Sequence, residues 1–227
     1  MKLSVLVPIF NEEDTLEEMI KRVRDVPIEK EIIMVDDGST DGSREILKKY
    51  ENIKNIKIIY HEENRGKGAC IRTAREHISG DIVIIQDADL ETDPNDYLKL
   101  IKPIENKETK VIYGSRFLNP ENKRTYGAFY FGGLLVTSVA NILFIQRLTD
   151  EPTCYKVFDA DFFKSIPLNC QRFEFCPEIT AKIAKKGIKI KEIPINYYPR
   201  SVKNGKKLRW TDGLEAIWTL IKYRFTN

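Results

Sequence analysis

The sequence predicts an α/β protein with one mostly parallel sheet and helices on both of its faces. Two observations predict it. From the first residues to about residue 85, short apolar runs alternate with segments of helical period, giving the β-α-β-α-β-α-β order of a parallel sheet. Acidic residues follow three of these runs closely, at 12–14, 36–37 and 87–91, and open parallel sheets bind ligands beyond the carboxyl ends of their strands.

Each element has its own signal. Residues 3–8 read as a strand buried on both faces. Asn11 is expected to cap a helix running through Leu16, Met19, Ile20 and Val23, with Glu12, Glu13 and Asp14 at its positive end. Residues 31–36 form a second strand closed by D-D-G-S-T-D-G, where Gly38 and Gly42 admit backbone conformations denied to other residues. A helix through Ile46 and Leu47, a strand near 56–60 and a helix over about 67–78 follow. The N-R-G-K-G run at 64–68, which includes Lys67, is either a phosphate cradle at a helix N-terminus or an ordinary loop with glycine hinges. Ile82, Val83, Ile84 and Ile85 form a buried strand leading to D-A-D-L-E. Asp93-Pro94 opens another helix, and a strand at 111–113 delivers Ser115 and Arg116. A helix begins at Pro177, a strand covers 188–198, and Thr211 caps a last helix with Trp218, Ile221 and Tyr223.

Length and charge bound the rest. The 227 residues suit one domain, with 1–116 as a binding half and 117–227 as an appended half. Net charge is +3, but from Lys182 onward 12 Lys and Arg stand against 3 Asp and Glu, so that segment carries +9 and the remainder −6. A basic end on an acidic body points to an anionic partner, or to a solvated cationic face. Nucleic acid is the weakest such partner, because no binding motif or interleaved aromatic accompanies the charge. Cys70, Cys154, Cys170 and Cys176 show neither zinc-ligand nor disulfide spacing, and a reducing, cytoplasmic setting is expected. The N-terminus shows no secretory signal pattern. Dinucleotide, P-loop and nucleophile-elbow motifs are absent.

Candidate site residues follow from the topology. Three strand ends would bring Asn11, Glu12, Asp36, Asp37, Asp87 and Asp89 to one crevice. Asp87, Asp89 and Glu91 alternate along the chain, a spacing that can project carboxylates to one side, where repulsion is costly unless a cation lies between them. Such hard oxygen ligands suit Mg²⁺ or Mn²⁺; a solvated acidic turn is the alternative. Arg116, at a strand end, could pair its planar fork with a phosphate.

Residues 126–146 carry no charge across 21 positions, long enough to span a bilayer. A span would place the Asp87 cluster and the basic segment on opposite sides of the membrane, and glycines, Thr137, Ser138 and Asn141 dilute its apolarity. The favoured reading is a helix lying in a membrane interface between flanking Lys123, Arg124 and Arg147. A plain core helix is the remaining choice.

Five motifs, V-P-I-F-N-E-E, V-D-D-G-S-T-D-G, N-R-G-K-G-A, S-G-D-I-V-I-I-Q-D-A-D-L-E and Y-G-S-R-F, stand in an order and spacing that resembles the family 2 nucleotide-sugar glycosyltransferases of GT-A fold, and within them the enzymes that make polyprenyl-phosphate sugars. The resemblance covers almost the whole chain. It implies that Pro8, Phe10, Asn11, Glu12, Asp36 and Asp37, with Lys67 and Asp87, hold the nucleotide of a UDP- or GDP-linked sugar, and that Asp87, Asp89 and Glu91 hold the metal. Glu91 stands where relatives often carry Gln. Asp150 keeps an acidic position near the acceptor, whereas Cys154-Tyr155 departs from the small residue and Gly of the D-x-x-S-G-F pattern. Arg116, Asp150 and Arg200 are the catalytic candidates; Arg124, Arg200, Lys206 and Lys207 are those for acceptor phosphate. The implied enzyme is inverting, moves a hexosyl group to a polyprenyl phosphate, and attaches peripherally to the cytoplasmic face of a membrane. Two alternatives stand beside it: transfer to a saccharide or protein hydroxyl, which would need Asp150 or Glu178 as base, and a non-catalytic sugar-nucleotide or membrane-surface binding module.

Overall fold

The computed structural model describes residues 1–123, 127–200 and 210–226. Seven strands, β1 (Leu3–Ile9), β2 (Lys30–Asp36), β3 (Ile56–Tyr60), β4 (Ile82–Ile85), β5 (Val111–Ser115), β6 (Lys156–Asp159) and β7 (Lys191–Pro194), form one sheet in the order β3-β2-β1-β4-β6-β5-β7. Pairing is parallel throughout except at β6, which runs antiparallel to both β4 and β5. The near-continuous apolar runs of β1 and β4 are buried on both faces as expected.

Helices α1 (Leu16–Asp25), α2 (Ser43–Lys48), α3 (Lys67–Arg75), α4 (Tyr97–Glu105), α5 (Ala128–Phe144), α6 (Ala160–Lys164), α7 (Phe175–Lys185) and α8 (Trp210–Phe225) complete the fold. Leu16, Met19, Ile20 and Val23 of α1 join Leu100, Ile101 and Ile104 of α4 over one face of the sheet. Cys70, Ile71 and Ala74 of α3 pack on the other face with Phe162, Phe163, Phe175 and Ile179. A third cluster, Val136, Ala140, Phe144, Ala181, Leu220 and Tyr223, binds α5, α7 and α8 together.

Three local expectations are corrected. Asn11 does not cap α1: it adopts φ 50, its Oδ1 accepts from Thr40 N at 2.8 Å, and the helix starts four residues later, after Thr15. Thr211 lies inside α8 rather than before it, and the strand drawn over 188–198 is regular only at β7. Strand β6 had no clear sequence signal, since K-V-F-D opens with a lysine. That lysine is nevertheless fully buried, because Lys156 Nζ donates to the carbonyls of Glu151 (2.6 Å) and Thr153 (2.8 Å) and lies 4.1 Å from the centre of the Tyr113 ring.

Candidate active site

The register sets Ile9 beside Asp36 and Leu6 beside Ile85, so the chain leaves β1, β2 and β4 on one edge of the sheet. Beyond β4, Gln86 fixes the exit. Its Oε1 accepts from the hydroxyls of Tyr97 (2.5 Å) and Tyr155 (2.7 Å), and its Nε2 donates to Asp87 O (2.7 Å) and Thr92 Oγ1 (3.3 Å). A fully satisfied buried amide of this kind holds the following turn in one conformation. Tyr155, a departure from the family pattern, is thus one of the two phenols that lock it.

The acidic residues beyond that anchor meet two cations. Asp87 Oδ1 lies 2.5 Å from Lys67 Nζ. Although burial opposes it, the Lys67 ammonium and the Cys154 thiol hold the Asp87 carboxyl below its ordinary range, and Asp87 in turn keeps Lys67 strongly protonated against the effect of burial. Arg200 Nη2 stands 3.2 Å from Asp89 Oδ2, while Nη1 reaches Glu12 Oε2 at 2.9 Å. Burial, followed by the charges of Asp87 and Glu91, pushes the Asp89 carboxyl up to about 7, with Arg200 only partly offsetting them. Three carboxylates, those of Glu12, Asp87 and Asp89, therefore share two cations, with the Glu91 charge close by. Carboxylate oxygens in excess of cations are the chemistry a hard divalent ion takes, although among the described residues no three of these acids bring ligand atoms within 4.8 Å of one another.

Glu91 spends its carboxylate on the C-terminal segment while its charge still acts on Asp89. Its Oε2 accepts from Tyr197 OH (3.0 Å), its Oε1 from Arg200 N (2.8 Å), and its carbonyl from Tyr198 N (2.8 Å). In this conformation it ties the Y-Y-P-R segment to the turn after β4. The Arg116 guanidinium sits 5.1 Å from the centre of the Tyr197 ring and is held from beneath by Asp150, with Nε to Oδ2 at 2.7 Å, Nη2 to Oδ1 at 2.6 Å and its own backbone N to Oδ2 at 2.9 Å. Asp150 is wholly buried. Tyr197 therefore links Glu91 to Arg116, a role that nothing in the sequence pattern around it announces.

The loops after β2 and β3 use their polar groups on each other. Asp37 accepts from Arg65 N (2.9 Å), Gly66 N (2.7 Å) and His61 Nδ1 (2.8 Å). Asp36 is buried, with Oδ2 accepting from Arg44 Nε at 2.7 Å, and its Oδ1 has no partner. Gly38 (φ 72) and Gly66 (φ 93) are in the left-handed region, and a Cβ on Gly66 would come within 2.5 Å of Gln171 O. Of the two readings of 64–68, the structure favours the ordinary loop over the phosphate cradle, because the N–H groups of Gly68 and Ala69 donate to the carbonyls of Arg172 (3.1 Å) and Gln171 (2.9 Å). What this run directs at the acidic cluster is the Lys67 side chain. Asp37, His61 and Cys70 also bring a carboxylate, an imidazole and a thiol within 4.8 Å of one another. With the other imidazole nitrogen on Thr73 Oγ1 (3.0 Å), this is a satisfied hydrogen-bonded brace.

Pro8 and Phe10 lie at the end of β1, partly exposed beside Asn11 and Glu12. Glu178 does not face the crevice. It is fully buried, accepting from Asn169 N, Cys170 N, Lys182 Nζ and Tyr223 OH. Arg124, Lys206 and Lys207 lie outside the described residues.

A mostly parallel sheet with one reversed strand, and an acidic cluster at the strand ends, define the GT-A class of sugar-transferring enzymes. The chain belongs to glycosyl transferase family 2, whose family model matches residues 4–166. Among curated relatives it is 29% identical over 97% of its length to a dolichyl-phosphate beta-glucosyltransferase of Trichomonas vaginalis, covering 72% of that protein. It is 30% identical over 84% of its length to a UDP-N-acetylglucosamine–dolichyl-phosphate N-acetylglucosaminyltransferase of Methanococcus voltae (83% covered). With a dolichol-phosphate mannosyltransferase of Pyrococcus furiosus it shares 26% identity over 98% of its length, spanning 64% of that relative. In fold, it superposes over 100% of its length on 79% of glucosyl-3-phosphoglycerate synthase from Mycobacterium tuberculosis, solved with Mn²⁺, UDP and phosphoglyceric acid, with a TM-score of 0.77 at 16% identity. This protein is a glycosyltransferase.

Proposed function

We propose that the enzyme moves a hexosyl group from a nucleoside diphosphate sugar to a polyprenyl monophosphate, with inversion at the anomeric carbon. Pro8, Phe10, Asn11 and Glu12 would receive the base and ribose, with Asp36 and Asp37 bracing the loops beside them, and Asp87 and Asp89, with Glu91 in reach of them, would hold Mg²⁺ or Mn²⁺. When bound, the divalent ion supplies charge for the departing diphosphate. The chain's own work is positioning. Lys67 and Arg200 balance the strand-end acids and are aimed at the same space. Arg116, oriented through two points by Asp150 and by the face of Tyr197, presents a fixed fork to a second anion. Two mutually repelling phosphates brought into line this way need no strong base, because the acceptor oxygen is already anionic at neutral pH.

The observation that carries this reading is the condition of the two carboxylates a hydroxyl acceptor would require. Asp150 and Glu178 are both fully buried, and every carboxylate oxygen of each is engaged. Neither is free to take a proton from a substrate hydroxyl, which favours an acceptor that needs none taken.

A lipid acceptor is supported by α5 and α8, which pack side by side. The outward ridge of α5 is Phe131, Leu135, Ser138, Ile142 and Ile145, without a charge; that of α8 includes Trp210, Leu214, Trp218, Ile221 and Phe225. Ile142 is 78% and Phe225 81% exposed. An apolar two-helix face of this kind is unusual on a lone soluble domain. Exposed Arg147, Lys186, Lys222 and Arg224 stand near its C-terminal end, as in helices lying at an anionic membrane surface. Among the described residues no helix is long and apolar enough to cross a membrane. Peripheral attachment at the cytoplasmic face belongs to this proposal.

The test incubates the protein and Mn²⁺ with labelled UDP-glucose, UDP-N-acetylglucosamine or GDP-mannose. Each donor is offered a polyprenyl monophosphate, the same polyprenol without phosphate, and a free saccharide. Product on the phosphate alone is expected. Product on the alcohol or saccharide, with none on the phosphate, would overturn the proposal.

A further inference from the structure

A cavity of about 460 Å³ opens beside the first turns of α3, lined by Glu63, Asn64, Arg65, Ala69, Arg72, Gln171 and Arg172. Three guanidinium groups border it and one carboxylate. Among the described residues none of the three arginines forms an ion pair within 4.0 Å. The Arg72 fork spends only a long 3.5 Å contact from Nη1 on Cys170 O. The nearby carboxylate of Glu174 is turned to the backbone, accepting from Gln171 N (2.6 Å) and Arg172 N (2.8 Å), so it does not hold the arginine heads.

The wall is rigid where it matters. Gln171 and Arg172 cross the start of α3 with their carbonyls bonded to Ala69 N and Gly68 N, and Gly66 is pressed against them with no room for a side chain. None of the cavity's lining residues belongs to the acidic cluster beyond β4. Lys67, one residue before this contact, points instead at Asp87. Arg65 stands on the boundary: its backbone N–H goes to Asp37 while its side chain lines the cavity. Planar, permanently charged donors around a polar concavity, flanked by amide side chains and outnumbering the nearby carboxylates Glu63 and Glu215 without a close ion pair to either, match a tetrahedral dianion or a phosphodiester.

We propose that Arg65, Arg72 and Arg172 form an anion site for a phosphate group, distinct from the sugar-transfer crevice. The phosphate is carried either by a lipid headgroup or by a free phosphate compound. This inference does not depend on which acceptor the enzyme uses.

The experiment measures thermal unfolding of the full chain with increasing inorganic phosphate, using wild type, an R72Q/R172Q variant and a K67Q variant. Phosphate also stabilises proteins generally by exclusion from their surface, so the comparison between variants is the readout. At a phosphate concentration about ten times Kd, a site-specific rise in Tm of about 3 °C is expected for a chain of this size. It should survive in K67Q and vanish in R72Q/R172Q. A rise lost in K67Q and kept in R72Q/R172Q would place the ion in the donor crevice and overturn the proposal, as would equal rises in all three. A second arm compares flotation on phosphatidylcholine vesicles with and without 30% phosphatidylglycerol. Anionic-lipid binding that falls at least tenfold in R72Q/R172Q identifies a headgroup; binding unchanged in the variant, with the phosphate response lost, identifies a free phosphate. Absence of both responses in wild type removes the site.

Discussion

Arg200 and Asp89 lie 111 positions apart in the chain, and yet Nη2 of the one is 3.2 Å from Oδ2 of the other. The same guanidinium bridges to Glu12 at 2.9 Å, so a residue from the C-terminal third occupies the space between an acid after β1 and an acid after β4. A guanidinium there does part of the work a divalent ion would do. On the function proposed above, a divalent ion held by Asp87 and Asp89 would supply that positive charge itself, so Arg200 could turn its fork to a second anion.

The first prediction concerns that exchange. Arg200→Gln should lower turnover at least about 30-fold, the effect of removing one partner of a shielded charge pair, while divalent-ion affinity stays equal or improves because a competing cation is gone. Metal titration followed by intrinsic fluorescence, alongside a transfer assay, checks both halves. Weaker metal binding in this variant would mean that Arg200 does not compete for the cluster.

Asp89 should separate stability from activity. Its charged form is disfavoured by burial and by Asp87 and Glu91, so Asp89→Asn relieves repulsion as it removes a ligand oxygen. The expected result is an unfolding midpoint equal to wild type or higher, loss of the Mn²⁺-dependent rise in that midpoint, and no measurable transfer. A variant that unfolds several degrees earlier would show the carboxylate to be structurally required.

Removing the buried support of Arg116 should be costly. Asp150→Ala leaves an arginine without its two-point partner, a loss of roughly 3–5 kcal/mol by analogy with broken buried pairs. Arg116→Met in the same background should restore part of it by deleting the stranded charge. Urea unfolding of the two single variants and the double gives the coupling energy, and additive losses would show that the pair is not coupled.

Acid sensitivity has a defined source at the opposite edge of the sheet. Burial raises the Glu31 carboxyl, but Lys2 Nζ, the hydroxyls of Ser4 and Ser79 and the Ser79 N–H outweigh it and bring the carboxyl down to about 2. A carboxyl depressed on folding contributes stability that is full above its unfolded value of about 4.5 and is lost as pH falls toward about 2. Because the Glu31–Lys2 pair is partly open to solvent and screened by it, the contribution is on the order of 1–2 kcal/mol. Urea midpoints measured from pH 5 to pH 2 should fall more steeply for wild type than for Glu31→Gln; parallel curves would assign the acid limb to other groups.

Much of this architecture could be read from the chain because burial on two faces leaves a plain trace. The runs at β1, β2 and β4 carry no polar interruption except Ser4, whose hydroxyl sits 2.5 Å from Glu31, and their acidic exits follow at once. Strand β6 escaped because its first residue is a lysine whose charge is met by carbonyls from its own preceding turn, a solution that side-chain periodicity cannot register. The N-R-G-K-G run stayed ambiguous for a related reason. Composition announces a helix N-terminus with glycine, but not that Gln171 and Arg172, a hundred residues on, take its free N–H groups. The resemblance placed Glu91 among the metal ligands; its present bonds to Tyr197 and Arg200 come from a distant loop and could not be inferred from the alternation at 87–91.

The excursion between β5 and β6 is closed at its base. Ser115 Oγ and Thr149 Oγ1 are 2.7 Å apart, and Arg116 N meets Asp150 within the same clasp. The chain thus leaves the sheet and returns to it through one pinned doorway, with α5 hung outside. The residues of that clasp lie on either side of 118–147 and not within it. Exchanging 118–147 for the equivalent stretch of a relative should therefore change which acceptor is welcomed while the preference for sugar donor stays with the host.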